Sequence, residues 1–177
     1  GGGWDTDPAD AGDWISAADL ARSDNFFRGC GQGTSHDQPV DSSWHGTRVA
    51  GVIAAVTDNA IGIAGVAPGA QWIAAKGCED YWCSEEALLS SGEFILAPTD
   101  LDGNAPDPAK RPDIGNSSWG SGPGDEFYLE VVKAWRAAGI IPVFSSGNPG
   151  SACGDGGSPG DFLESFSVGA TDVDDVI

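Results

Sequence analysis

Tyr128, Val131, Val132 and Trp135 fall at i, i+3, i+4 and i+7, the spacing that lines one face of an α-helix. Asp125 stands before them as a cap and Gly139 behind them as a stop, so the pattern predicts a helix between the two. Residues 140–145 follow as a short apolar run that reads as a buried strand. Residues 84–96 predict another helix, with Ser84 as N-cap and Glu86 just inside the first turn. Residues 45–55, HGTRVAGVIAA, are small and apolar with helical character. Glycine inside a helix is unfavourable by about 1 kcal/mol. Gly46 and Gly51 therefore imply that another backbone packs closely on that helix. Strands are expected at 71–76, 113–118 and 166–170, and a Pro/Asp-rich loop at 98–112. Helices alternating with strands predict an α/β fold, a parallel sheet with helices on both faces. In such sheets, sites collect at the carboxyl ends of the strands.

Residues 1–43 have no sustained periodicity; Asp5, Asp7, Asp10, Asp13, Asp19 and Asp24 alternate with Gly, Pro and Trp. They read as a long acidic surface loop with a helical turn near 16–22, kept ordered by Trp4, Trp14, Phe26 and Phe27. Residues 44–177 hold the sheet and helices, so 1–177 is read as one partial domain. Both ends look cut: the chain opens Gly-Gly-Gly-Trp and stops at Val-Ile right after a strand-like segment.

Charge narrows the partners. Eight Lys and Arg against 27 Asp and Glu give a formal net charge of -19. Such a surface repels a phosphate backbone and offers no basic patch to a membrane, which argues against both as partners. Apolar runs are short, as at 61–67 with its two glycines, far from the roughly 18 residues of a spanning helix. High net charge suits a soluble monomer, and carboxylates suit calcium. The four cysteines, Cys30, Cys78, Cys83 and Cys153, are an even count that fits an oxidising compartment. Their spacing contains no C-x-x-C pair, which argues against a zinc ribbon. The expected pairing is Cys78 with Cys83, closing a short loop, with Cys30 and Cys153 paired or free.

The chemistry-bearing motif is SWHGTRVAG at 43–51, a His opening a helix whose glycines permit close packing. GIAGVAP at 62–68, WIAAK at 72–76, NSSWG at 116–120, SSGN at 145–148, Ser158-Pro159 and SFSVGATD at 165–172 follow in order. This ordered set resembles the subtilisin-like serine proteases, the subtilases, from about residue 40 onward. FILAPTD at 94–100 and VKAWRAAGI at 132–140 are similar to the bacillopeptidase F-like branch. Residues 4–14 are similar to an insertion before the His box of some secreted bacterial subtilases.

The resemblance implies roles residue by residue. His45 matches the general acid/base, and Asn148 the side-chain donor to the developing oxyanion. Asn148 also reads as a turn residue in Gly-Asn-Pro-Gly. Ser118, Trp119 and Gly120 match the strand that pairs in antiparallel fashion with the substrate backbone. Ser145, Ser146 and Gly147 match one wall of the pocket for the side chain before the cut, and their small size suits a large apolar group. Thr57, Asn59, Ile61 and Ile63 match a calcium loop, and read equally as a plain turn after the helix. The resemblance implies peptide or protein substrates, secretion, a structural calcium at most, and no cofactor for the chemistry.

Two departures weigh against it. No apolar strand ending in Asp-Thr-Gly or Asp-Ser-Gly precedes His45, and no Gly-Thr-Ser-Met-Ala box opens a helix. Gly33-Thr34-Ser35 precedes the His box and is followed by His36-Asp37, so Ser35 is not the expected nucleophile and His36 reads as a solvated loop residue. Arg48 replaces the second His of the family's box, outside the proton relay. Asn116 opens a glycosylation sequon but lies on the substrate segment, where no glycan is expected. The chain thus reads as a fragment of a serine endopeptidase whose Asp and Ser boxes lie outside it. The rival reading is a non-catalytic interaction or calcium-binding domain on the same scaffold.

Overall fold

The helix that opens at His45 ends on a borrowed set of donors. The computed structural model describes residues 44–79, 82–100, 103–150 and 152–176. The turn at 16–22, the aromatic residues before it and after it, Cys30, Ser35 and His36 lie outside the described residues. The chain divides into two units, Gly1–Lys110 and Arg111–Ile177.

In the first unit, α1 spans His45–Ala54 and begins behind Trp44, whose φ of 58° is left-handed. The amides of Gly65, Val66 and Ala67 donate to the carbonyls of Ala55 (2.9 Å), Val52 (3.0 Å) and Ile53 (2.7 Å). A helix leaves its last carbonyls unpaired, and this returning segment satisfies them. The close backbone approach expected at Gly51 is not found among the described residues. Among the described residues, nothing lies within 4 Å of a Cβ built on Gly51, whereas one on Gly65 would run into the backbone of Ala54 and Ala55. The end of the helix, where carbonyls need partners, draws the neighbour in.

Residues 71–76 form no strand. An apolar run becomes a strand only where a neighbour supplies its ladder. Here the pairing lies just beyond it, in an antiparallel hairpin of β1 (Cys78–Glu79) and β2 (Trp82–Cys83) that sets Cys78 opposite Cys83. These two cysteines are joined by a disulfide, S–S 1.99 Å, with Cα atoms 4.0 Å apart. The bond therefore closes a hairpin rather than pinning a strand to a helix. Its sequence separation is 5, so it removes little unfolded-state entropy. Reduction should destabilise the chain by less than the ~2–4 kcal/mol typical of longer loops, checked by thermal unfolding with and without reductant.

Next comes α2 (Glu85–Leu96). The Ser84 hydroxyl oxygen accepts from the Ala87 amide at 3.1 Å, and Glu85 and Glu86 meet the positive end of the helix. Leu88, Gly92 and Phe94 form its buried face. The loop beyond it holds one 3₁₀ turn, Pro108–Lys110.

In the second unit, β3 (Ile114–Ser117), α3 (Leu129–Ala137), β4 (Ile141–Ser145) and β5 (Phe166–Val168) build a three-stranded sheet in the order β3-β4-β5. All pairings are parallel; Ile114 faces Ile141 and Val143 faces Phe166. The parallel sheet with helices is the architecture the alternation predicts. The α3 crossover covers one face through Val132, Trp135 and Tyr128, all buried. Trp135 stacks on Phe144 at 6.2 Å and lies over Gly115. Burial drives the Tyr128 phenol well above its ordinary range, so it stays protonated.

Two expectations change here. The 140–145 run is half-buried by alternation: Pro142 and Phe144 point inward, whereas Ile141 is exposed with Ile114, Phe166 and Val168. Period 2 places those residues on the face that α3 does not cover. Asp125 does not cap α3, which starts behind Tyr128. The Asp125 carboxylate accepts from the Phe127 amide at 3.2 Å, and Leu129 N–H donates to Glu126 O at 3.0 Å, so a tight turn precedes the helix. The Asp125 amide also donates to the Ser158 hydroxyl oxygen at 2.9 Å, so this turn is bonded to a segment 33 residues away.

Candidate active site

His45 is the first residue of α1 and is exposed. Just beyond that helix, Asp58, Ala60 and Gly62 have φ of 59°, 60° and 62°. This alternation makes Thr57, Asn59, Ile61 and Ile63 equivalent steps of a two-residue repeat. Asn59 Oδ1 accepts from the Ile61 amide at 3.0 Å. The loop offers carbonyl and amide oxygens, the hard donors calcium takes. Among the described residues, no group of three or more His, Cys, Asp or Glu gathers to add charge.

The remaining candidates share the second unit, at the carboxyl ends of β3 and β4. Ser145 ends β4 with its hydroxyl 3.5 Å from the Trp119 carbonyl oxygen. Ser146 continues the ladder, donating its N–H to Val168 O at 2.9 Å. Gly147 has φ +95°, a conformation side chains rarely adopt, and turns the chain so that Asn148 leaves the sheet exposed. Asn148 thus sits just past a strand end in a parallel sheet, where sites are built.

Trp119 divides its roles. Its indole meets Tyr128 edge-on at 4.9 Å and Phe144 at 5.7 Å, with Phe127 at 6.2 Å. The side chain therefore belongs to the α3 core, which leaves the backbone of 118–120 as the group available to a ligand. Ser118 Oγ accepts from the Asn116 amide group at 3.3 Å.

A third segment completes this block. Gly157 N–H donates to Ser146 O at 2.9 Å, and Ser121 N–H to Ser158 O at 2.8 Å. Ser158 is wholly buried. Its hydroxyl donates to Asp161 Oδ2 at 3.0 Å, and the same oxygen accepts from Gly124 N–H at 2.8 Å. Ser158 has no role in the sequence motifs, and Ser121 and Asp161 lie outside them. Partners 33 and 37 residues apart leave no mark in local spacing.

A sequence model described as the Subtilase family matches residues 8–176. The chain belongs to the subtilase family. Bacillopeptidase F of Bacillus subtilis is 44% identical to this subtilase over 144 residues, 76% of the chain and 10% of that protein. An extracellular basic protease of Dichelobacter nodosus is 33% identical over 148 residues, 81% of the chain and 22% of that protein. The subtilase chain therefore spans a quarter or less of the length of these two relatives. Among solved structures, a protease of Pseudoalteromonas arctica is similar with a TM-score of 0.61 at 24% identity, covering 73% of this chain and 38% of that one. That likeness is one of fold. No described helix of this subtilase is long and apolar enough to cross a membrane.

Proposed function

We propose that this subtilase chain is the central part of a serine endopeptidase catalytic domain. It supplies the general base His45 and the oxyanion donor Asn148, while the Asp and Ser boxes come from outside its 177 residues. The observation that carries the reading is the block at the carboxyl ends of β3 and β4. There, 118–121 and 145–148 leave neighbouring parallel strands and are both hydrogen-bonded to 157–158.

The chemistry follows from the residue types. A substrate backbone pairs with the main chain of Ser118, Trp119 and Gly120, which reads no sequence. The side chain before the scissile bond enters beside Ser145, Ser146 and Gly147, whose small size suits a large apolar group. A serine hydroxyl from the Ser box attacks the carbonyl carbon as His45 accepts its proton. The Asn148 amide donates to the oxygen that becomes negative. His45 then gives the proton to the departing amine, and water releases the acyl group by the same steps in reverse.

Calcium held by Thr57, Asn59, Ile61 and Ile63 would brace the turn after α1; no step of the cleavage involves it. Its substrates are peptides or proteins, and it acts as a secreted monomer. The even cysteine count, the disulfide and a relative named as extracellular support secretion.

The test uses two proteins, the 177-residue chain and a completed domain in which an Asp-box strand precedes it and a Gly-Thr-Ser-Met-Ala helix follows it. Casein turnover sensitive to a serine-hydrolase inhibitor is expected from the completed domain and none from the chain alone. Inhibitor-sensitive turnover by the chain alone would mean an unrecognised nucleophile and contradict the assignment.

A further inference from the structure

Residues 118–125 leave the sheet after Ser117, the last residue of β3, and run without a strand of their own to α3. Backbone in such a segment still needs partners. Much of what it receives comes from four residues, 158–161. Ser121 donates to the Ser158 carbonyl through its N–H (2.8 Å) and its hydroxyl (3.3 Å). Asp125 N–H donates to the Ser158 hydroxyl oxygen at 2.9 Å. Gly124 N–H donates to Asp161 Oδ2 at 2.8 Å, and the Ser158 hydroxyl donates to that same oxygen at 3.0 Å.

The proton count is consistent. Ser158 has one hydroxyl proton, given to Asp161, so its lone pairs are free to accept from Asp125. A carboxylate only accepts, and it takes both donors on one oxygen. Bonds to an ionised acceptor are stronger than neutral ones. The 158–161 turn is itself anchored to the other half of the block: Asp161 N–H donates to Gly157 O at 3.1 Å, and Gly157 N–H to Ser146 O at 2.9 Å. One carboxylate thereby ties the segment after β3 to the segment after β4.

We propose that Asp161, acting through Ser158, is a positioning residue that holds 118–125 where a substrate peptide pairs with it. The inference rests on the peptide-binding role proposed above for 118–120. A segment that recognises a ligand by main-chain hydrogen bonds must keep its N–H and C=O groups in line beforehand. Ordering them at the moment of binding weakens the complex. Neither Asp161 nor Ser158 touches the substrate in this account.

The experiment reads amide hydrogen exchange by NMR, together with the Kd of the probe acetyl-Ala-Ala-Phe-amide, in the 177-residue chain. In Asp161→Ala, exchange at Gly124 and Asp125 should quicken by about tenfold or more, the scale of one lost hydrogen bond to a charged group. Exchange at Val132 and Phe144 should hold, and the probe should bind about tenfold more weakly. Asp161→Asn keeps an oxygen at that place and should recover most of both effects. Ser158→Ala should release Asp125 while leaving Ser121 bonded to the backbone carbonyl. It serves as the reading variant if Asp161→Ala loses protection at Val132 as well. Unchanged exchange at Gly124 and Asp125 overturns the clamp. Faster exchange with unchanged probe affinity overturns the positioning role. A wild-type chain that binds no probe contradicts the peptide-binding reading itself, whatever the exchange data show.

Discussion

His45→Ala in the completed domain should lower kcat by about a million-fold, the scale known for the same loss in subtilisin and carried over from it. Without the imidazole, the serine hydroxyl has no acceptor for its proton at the moment of attack. KM should change little, because His45, the first residue of α1, is not among the residues proposed to hold the peptide. A paired measurement of kcat and KM on a chromogenic peptide checks this. A loss confined to KM would move His45 from catalysis to binding.

The largest effect on stability is expected from Trp135→Ala. Trp135 is buried, stacks on Phe144 and meets Tyr128 edge-on at 6.2 Å, so it joins α3 to the sheet. Removing a buried Trp costs about 3–5 kcal/mol, partly as lost transfer energy and partly as the cavity left behind. Against a total stability of about 5–15 kcal/mol, that is more than half of the total at the lower end of the range. Urea denaturation should show a lower midpoint with an unchanged slope. A shift below about 1 kcal/mol would mean that the sheet repacks around the gap.

What could be read from the sequence is what is local. The α2 start was legible because Ser84 and the Ala87 amide that donates to it lie three residues apart. The buried face of α3 was legible because Tyr128, Val132 and Trp135 repeat at the helical period. Its start lies later than Asp125, whose carboxylate accepts from Phe127 in a turn that precedes the helix. Residues 71–76 have strand composition, yet pairing is a property of two segments and composition describes one. The His and Asn motifs could be recognised as words. The hydrogen bonds from Gly124 and Asp125 to Asp161 and Ser158 could not, since no periodicity links those positions.

If the segment after β4 stabilises a developing oxyanion, Asn148→Leu in the completed domain removes the group responsible. The side chain stays similar in volume and loses its donor. Loss of such a donor costs about 10²–10³ in kcat, a scale set by the corresponding asparagine of subtilisin. The prediction is a fall of that size in kcat with KM nearly unchanged. A kcat within about threefold of the unsubstituted domain, or a loss that appears wholly in KM, would contradict the account.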